Sequence, residues 1–81
     1  MSAFTDDCDY STTLNAHEEG FIAGWIGRKE SRNPFSFYTA RSAHAAWFDA
    51  WCAGHALHNP DDMSADRQYA DLDVYLSMVE I

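Results

Sequence analysis

Positive charge is what this chain lacks most. Five Lys and Arg stand against 13 Asp and Glu in 81 residues, a formal net charge of −8. Docking on nucleic acid by neutralising phosphates needs the opposite balance, so tight direct binding to DNA or RNA is not expected. Cysteine is scarce as well: Cys8 and Cys52 alone cannot build a disulfide framework. No apolar run approaches the length of a membrane span, and the opening MSAFTDDCDY is acidic where a signal peptide would be apolar. These absences lead to the expectation of a soluble, cytoplasmic protein with reduced thiols. No phosphate-binding glycine loop, internal repeat, low-complexity tract or convincing strand alternation is found.

What remains is helical. At this length a single domain is expected, with a core that is marginal in size and helped by its aromatic residues. Residues 1–10 show no periodicity and read as a mobile acidic arm. Ser11, Thr12 or Thr13 can cap a first helix over about 12–30, with Leu14, Phe21 and Trp25 on neighbouring faces. Asn33-Pro34 breaks the chain. A second helix is expected from Thr39, its N-cap, to about Leu57, with Ala40, Ala43, His44, Trp47, Ala50, Trp51 and Gly54 as a seam. After Asn59-Pro60 a third helix begins near 62 or 65 and runs to 79. Tyr69, Leu72, Tyr75, Leu76 and Val79 form its apolar face, and its aspartates lie opposite. The fold class is all-α: a long helical hairpin over 12–57 with a third, acidic helix from 60–81 packed on it.

The densest pattern lies between Gly20 and Trp51. Gly20, Gly24 and Gly27 follow Ala16 at helical intervals of three and four. Glycine within a helix costs roughly 1 kcal/mol relative to alanine, so three of them need a reason. A second backbone lying very close supplies one. The string HEEGFIAGWIGRKESRNPFSFYTARSAHAAW resembles the ribosome modulation factor family of small bacterial and phage-encoded proteins. That family runs G-x-x-A-G-x-x-G-R, a turn with Pro and an aromatic, an Arg, and paired tryptophans. Here Gly20, Ala23, Gly24, Gly27, Arg28, Pro34, Phe35 and Arg41 match, while Trp47 and Trp51 keep the spacing one helical turn later. The resemblance covers residues 16–54. It implies a helical fold and a ribosome-associated role, with Arg28, Lys29, Arg32 and Arg41 on RNA.

The charge points elsewhere. Residues 1–19 carry a net −5, residues 20–59 a net +2, and residues 60–81 a net −5. The family-like centre is mildly basic and the flanks are acidic. Dense carboxylates on a helix can stand where phosphates would otherwise sit, exchanging charge-assisted hydrogen bonds with Arg and Lys of a partner.

Chemistry is harder to find. Cys52, His55 and His58 are spaced three apart near a helix end, but a structural zinc site wants four ligands. No metal or other cofactor is expected. Cys52 lies in the Ala/Trp seam, where a small buried hydrophobe is the plainer role. Trp25, Trp47 and Trp51 are expected in the core, and enzymatic activity is not expected. The leading expectation is a non-enzymatic acidic binding protein that occupies a basic nucleic-acid-binding surface of a partner protein. A phage-encoded inhibitor of a host defence complex, such as a CRISPR effector, is one such type. Partner contacts are expected from Glu18, Glu19, Asp61, Asp62, Asp66, Asp71 and Asp73, with Phe35 and Tyr38 as aromatic anchors. The alternatives are a ribosome-associated hibernation-type factor and a homodimer using the exposed aromatics.

Overall fold

The computed structural model describes residues 10–79. The expected arm over 1–10 lies outside them except for Tyr10, which opens the first helix. The fold is all-α: α1 Tyr10–Trp25, α2 Arg41–Ala56 and α3 Ala65–Met78, with a single 3₁₀ turn at Glu30–Arg32. There is no strand among the described residues.

α1 is shorter than the 12–30 expected, because Gly27 ends it. Gly27 has φ 87°, the left-handed conformation open to glycine. The Arg28 amide donates to the Ala23 carbonyl (2.8 Å) and the Gly27 amide to the Gly24 carbonyl (3.0 Å), the paired bonds of a Schellman motif. Arg28 and Lys29 therefore lie beyond the last turn of α1.

The other two glycines do what their spacing suggests. A Cβ on Gly20 would overlap the Trp47 carbonyl oxygen, and one on Gly24 would overlap that of Trp51. Gly54 returns the contact from α2 against the carbonyl of Phe21. Backbone thus meets backbone in both directions, a setting that allows Cα–H···O contacts worth about 0.5–1 kcal/mol each. Around this seam lie Ala16, Ala23, Ala43, Ala46 and Trp47 in one cluster, and Phe21, Trp25, Ala50 and Leu72 in another.

The direction of the pair is a finding. Contacts climb together, Gly20 with Trp47 and Gly24 with Trp51, so α1 and α2 run parallel. No short turn closes this pair; residues 26–40 lead the chain back along its side. Three anchors hold the return. The Trp51 indole donates to the Arg28 carbonyl (2.7 Å), Asn33 Nδ2 donates to the His44 carbonyl (3.0 Å), and Phe35 is half-buried against the Ala16/Trp47 cluster. Thr39 does not cap α2. Ala40 holds that position without a side-chain bond, and Ser36 Oγ accepts the amides of Tyr38 and Thr39 just before it.

α3 starts at Ala65, where Ser64 Oγ accepts the Arg67 amide (3.3 Å). It runs antiparallel to α1, with Asp71 against Trp25 and Tyr75 against His17 and Phe21. Asp62 therefore precedes the helix and shares no helical register with Asp66 and Asp73. Tyr69, expected on the apolar face, is 68% exposed. Leu72 is buried, with Tyr75 and Leu76 half-buried beside it.

Candidate protein-interaction surfaces

The acidic residues expected to act together are divided by the fold into three groups with different roles. The first group, Asp62 and Asp71, belongs to the structure. Arg67 sits over the Trp25 ring at 5.1 Å and donates to the carbonyls of Asp62 (2.8 Å) and Leu57 (2.7 Å). Its guanidinium lies 3.8 Å from the Asp62 carboxylate and 3.6 Å from that of Asp71. Asp71 also accepts the Trp25 indole N–H (2.9 Å). Asp71, expected on the solvent side, thus faces α1, and Arg67 is the hub that fastens the start of α3. Its role was missed because an arginine among acids reads from sequence as a lone surface charge.

The second group is the outer face of α3. Leu72, Tyr75 and Leu76 turn inward, which leaves Asp66, Tyr69 and Asp73 three and four residues apart on one exposed line. Val74 and Met78 are exposed beside them. Asp61 is exposed in the preceding turn, where Asn59 Oδ1 accepts its amide (3.0 Å). The third group lies on α1: Glu18 is half-buried and Glu19 exposed. The two anchors proposed from the connection also part. Phe35 belongs to the core edge, whereas Tyr38 is 88% exposed and its ring lies edge-on to Phe37.

Apart from Arg67, the bases form one cluster and one outlier. Arg28, Lys29 and Arg32 are exposed together around a shallow depression with Gly27 and Ser31. Arg41 is separate, its guanidinium 4.8 Å above the Phe37 ring. Beside the Arg28 backbone runs a row of rings that the i, i+3, i+7 spacing on α2 could have revealed. Phe48 and Trp51 stack at 6.2 Å, Trp51 and His55 at 4.6 Å, and His55 and His58 at 6.3 Å. Trp51 is therefore only half-buried, unlike Trp25 and Trp47, and Cys52 is exposed rather than a core residue. His58 Nδ1 lies 2.8 Å from the Trp25 carbonyl and donates to it, satisfying an acceptor left open at the end of α1. Among the described residues no three His, Cys, Asp or Glu are placed to hold a metal ion.

One titratable contact joins α1 to α3. His17 Nδ1 and the Tyr75 hydroxyl lie 2.8 Å apart. Burial lowers the His17 pKa, against an opposing pull from Asp49. Burial, reinforced by Asp49, pushes the Tyr75 hydroxyl up to about 12. The bond joins the His17 ring nitrogen to the Tyr75 hydroxyl, and the imidazole tautomer sets which of them donates.

No helix among the described residues is long and apolar enough to cross a membrane. No known protein family, curated protein or solved structure matches the chain.

Proposed function

We propose that this is a non-enzymatic binding protein that presses the outer face of α3 onto a basic surface of a partner protein, where that partner would hold nucleic acid. The observation that carries the reading is the line Asp66–Tyr69–Asp73. It offers two unpaired carboxylates and a 68% exposed ring on a rigid helix, in a chain of net charge −8. Carboxylates attract Arg and Lys, and the tyrosine, with Val74 and Met78, rewards burial against protein. Phosphate would be repelled by the same face. An inhibitor of a nucleic-acid-processing complex, such as a phage protein acting on a host defence system, is the setting this chemistry suits.

The test is capture from a bacterial lysate at low and high salt, followed by competition with the captured partner's nucleic acid. Asp66→Lys with Asp73→Lys should abolish capture, and wild-type protein should displace the nucleic acid. A partner held equally well by the double mutant would sink the reading.

A second reading is favoured by the clustering of Arg28, Lys29 and Arg32 within the segment that resembles ribosome modulation factors. Under it the protein associates with ribosomes through that loop, and the acids face solvent. Arg28→Glu with Arg32→Glu would then remove ribosome co-sedimentation, and the α3 reversals would leave it unchanged.

A further inference from the structure

A groove of about 390 Å³ runs along α1 beside its junction with α2, between that helix and the returning connection. Its floor is apolar: Ile22 and Ile26 from α1 and the edge of Trp47 beneath. Its rim is charged, with Glu19 at one place and Arg28 and Arg32 at another. The volume lies within the range of about 300–1,000 Å³ typical of pockets that take specific ligands. Burial of Ile22 and Ile26 is incomplete although both pack against the Phe21/Trp25 cluster. Among the described residues no carboxylate forms an ion pair with Arg28 or Arg32, both exposed.

We infer that this groove is a second binding site, for a short acidic peptide segment of a protein partner that also carries large apolar side chains. The apolar residues lie on Ile22 and Ile26, and the carboxylates reach the guanidiniums of Arg28 and Arg32, which bind carboxylate in a planar, two-bonded geometry. The complementary charges select the occupant. Nucleic acid shares the need for Arg28 and Arg32, but the apolar floor gives a sugar–phosphate chain nothing to pair with. The site is of opposite sign to the α3 face and lies on a different element, so it does not depend on the α3 reading.

The experiment uses the full chain and three labelled probes followed by fluorescence anisotropy. One is a short peptide alternating leucine and glutamate, one the same peptide with lysine for glutamate, and one a single-stranded oligonucleotide. The acidic peptide should bind saturably and weaken with added salt, and the lysine peptide should not bind. Arg28→Glu with Arg32→Glu should weaken the acidic peptide about tenfold or more, with unchanged circular dichroism, since both side chains are exposed. Asp66→Lys with Asp73→Lys should leave peptide affinity within about twofold, because neither residue lines the groove and exposed charges out of contact are weakened by salt. Failure of the α3 reversals in partner capture with peptide binding intact would separate the two sites. No saturable peptide binding, binding indifferent to the arginine reversals, or oligonucleotide binding that those reversals remove would each overturn the proposal.

Discussion

The α1–α2 seam and the α3 dock are two interfaces of opposite kinds in one small protein. In the seam, helix backbones touch through Gly20, Gly24 and Gly54, with alanines filling the flanks. Nothing there can rotate out of the way. α3 is instead held by side chains reaching across: Arg67 to two carbonyls, Asp71 to the Trp25 indole, and Tyr75 to His17. An interface of backbones is set by shape and tolerates no added atom. An interface of side-chain tethers is adjustable, and part of its strength depends on protonation.

The sharpest break should come in the seam. Gly24→Leu should destabilise by about 3 kcal/mol or more, through overpacking. Gly24→Ala would be expected to be mild on helix propensity alone, gaining about 1 kcal/mol. The structure changes that expectation, because even one methyl meets the Trp51 carbonyl and the His55 amide nitrogen. We expect a net loss of about 2 kcal/mol for alanine, read from urea titrations. An alanine variant as stable as wild type would refute the backbone contact.

In the dock the largest single effect should follow Arg67→Ala. Its two hydrogen bonds to carbonyls are charge-assisted, and its side chain is only about a quarter exposed. A loss of about 2 kcal/mol is expected, discounted for partial solvent access. The readout that distinguishes it from a seam mutation is hydrogen exchange. Amides of α3 should exchange faster while those facing the seam keep their protection.

A smaller effect concerns pH. The folded-state pKa of His17 lies below 6.5, so as pH falls past 6.5 the unfolded chain takes up a proton that the folded one resists. His17 therefore costs stability as pH falls below 6.5, down to its own lowered pKa. Tyr75 acts at the other end. Its hydroxyl keeps its proton to about 12, whereas the unfolded chain releases it near 10, so stability declines as pH rises between those values. Tyr75→Phe should remove that alkaline decline in thermal melts; an unchanged decline would show that the buried Tyr75 hydroxyl is not its source.

The least effect is expected at the outer face of α3. Asp73→Lys should change stability by no more than about 0.5 kcal/mol, since it is exposed and unpaired, and Asp66→Lys by about 1 kcal/mol, since Asp66 lies in the first turn of α3 where the helix dipole favours an acid. A large loss in melting temperature would place them in the fold rather than on a binding face.

The reasons for legibility differ residue by residue. The α2 seam was readable because Ala43, Trp47, Ala50 and Gly54 recur at three and four, and a helix of that period must bury that stripe. Its N-cap was not, because Thr39 lost the role to a Ser36 turn that only the returning connection creates. Gly27 had the same spacing as Gly20 and Gly24, yet its task is to end the helix. Asp71 and Asp73 differ by two residues, which on a helix is more than half a turn; one pairs with Arg67 and the other meets water. Phe35 and Tyr38 were equally aromatic loop residues, and only the Asn33 bonds to the Phe35 amide and the His44 carbonyl turned the first inward.

Local sequence thus determined the all-α character, the rough extent of three helices and the strong negative balance. Periodicity, breakers and charge act within a few residues and need no partner to be read. The parallel course of α1 and α2, the capture of Arg67, Asp62 and Asp71 as a fastening, and the groove between α1 and the connection were decided by tertiary structure. Each depends on which distant backbone arrives beside a given side chain. A carboxylate has the same chemistry at either place until a neighbouring guanidinium, indole or open solvent decides what it does.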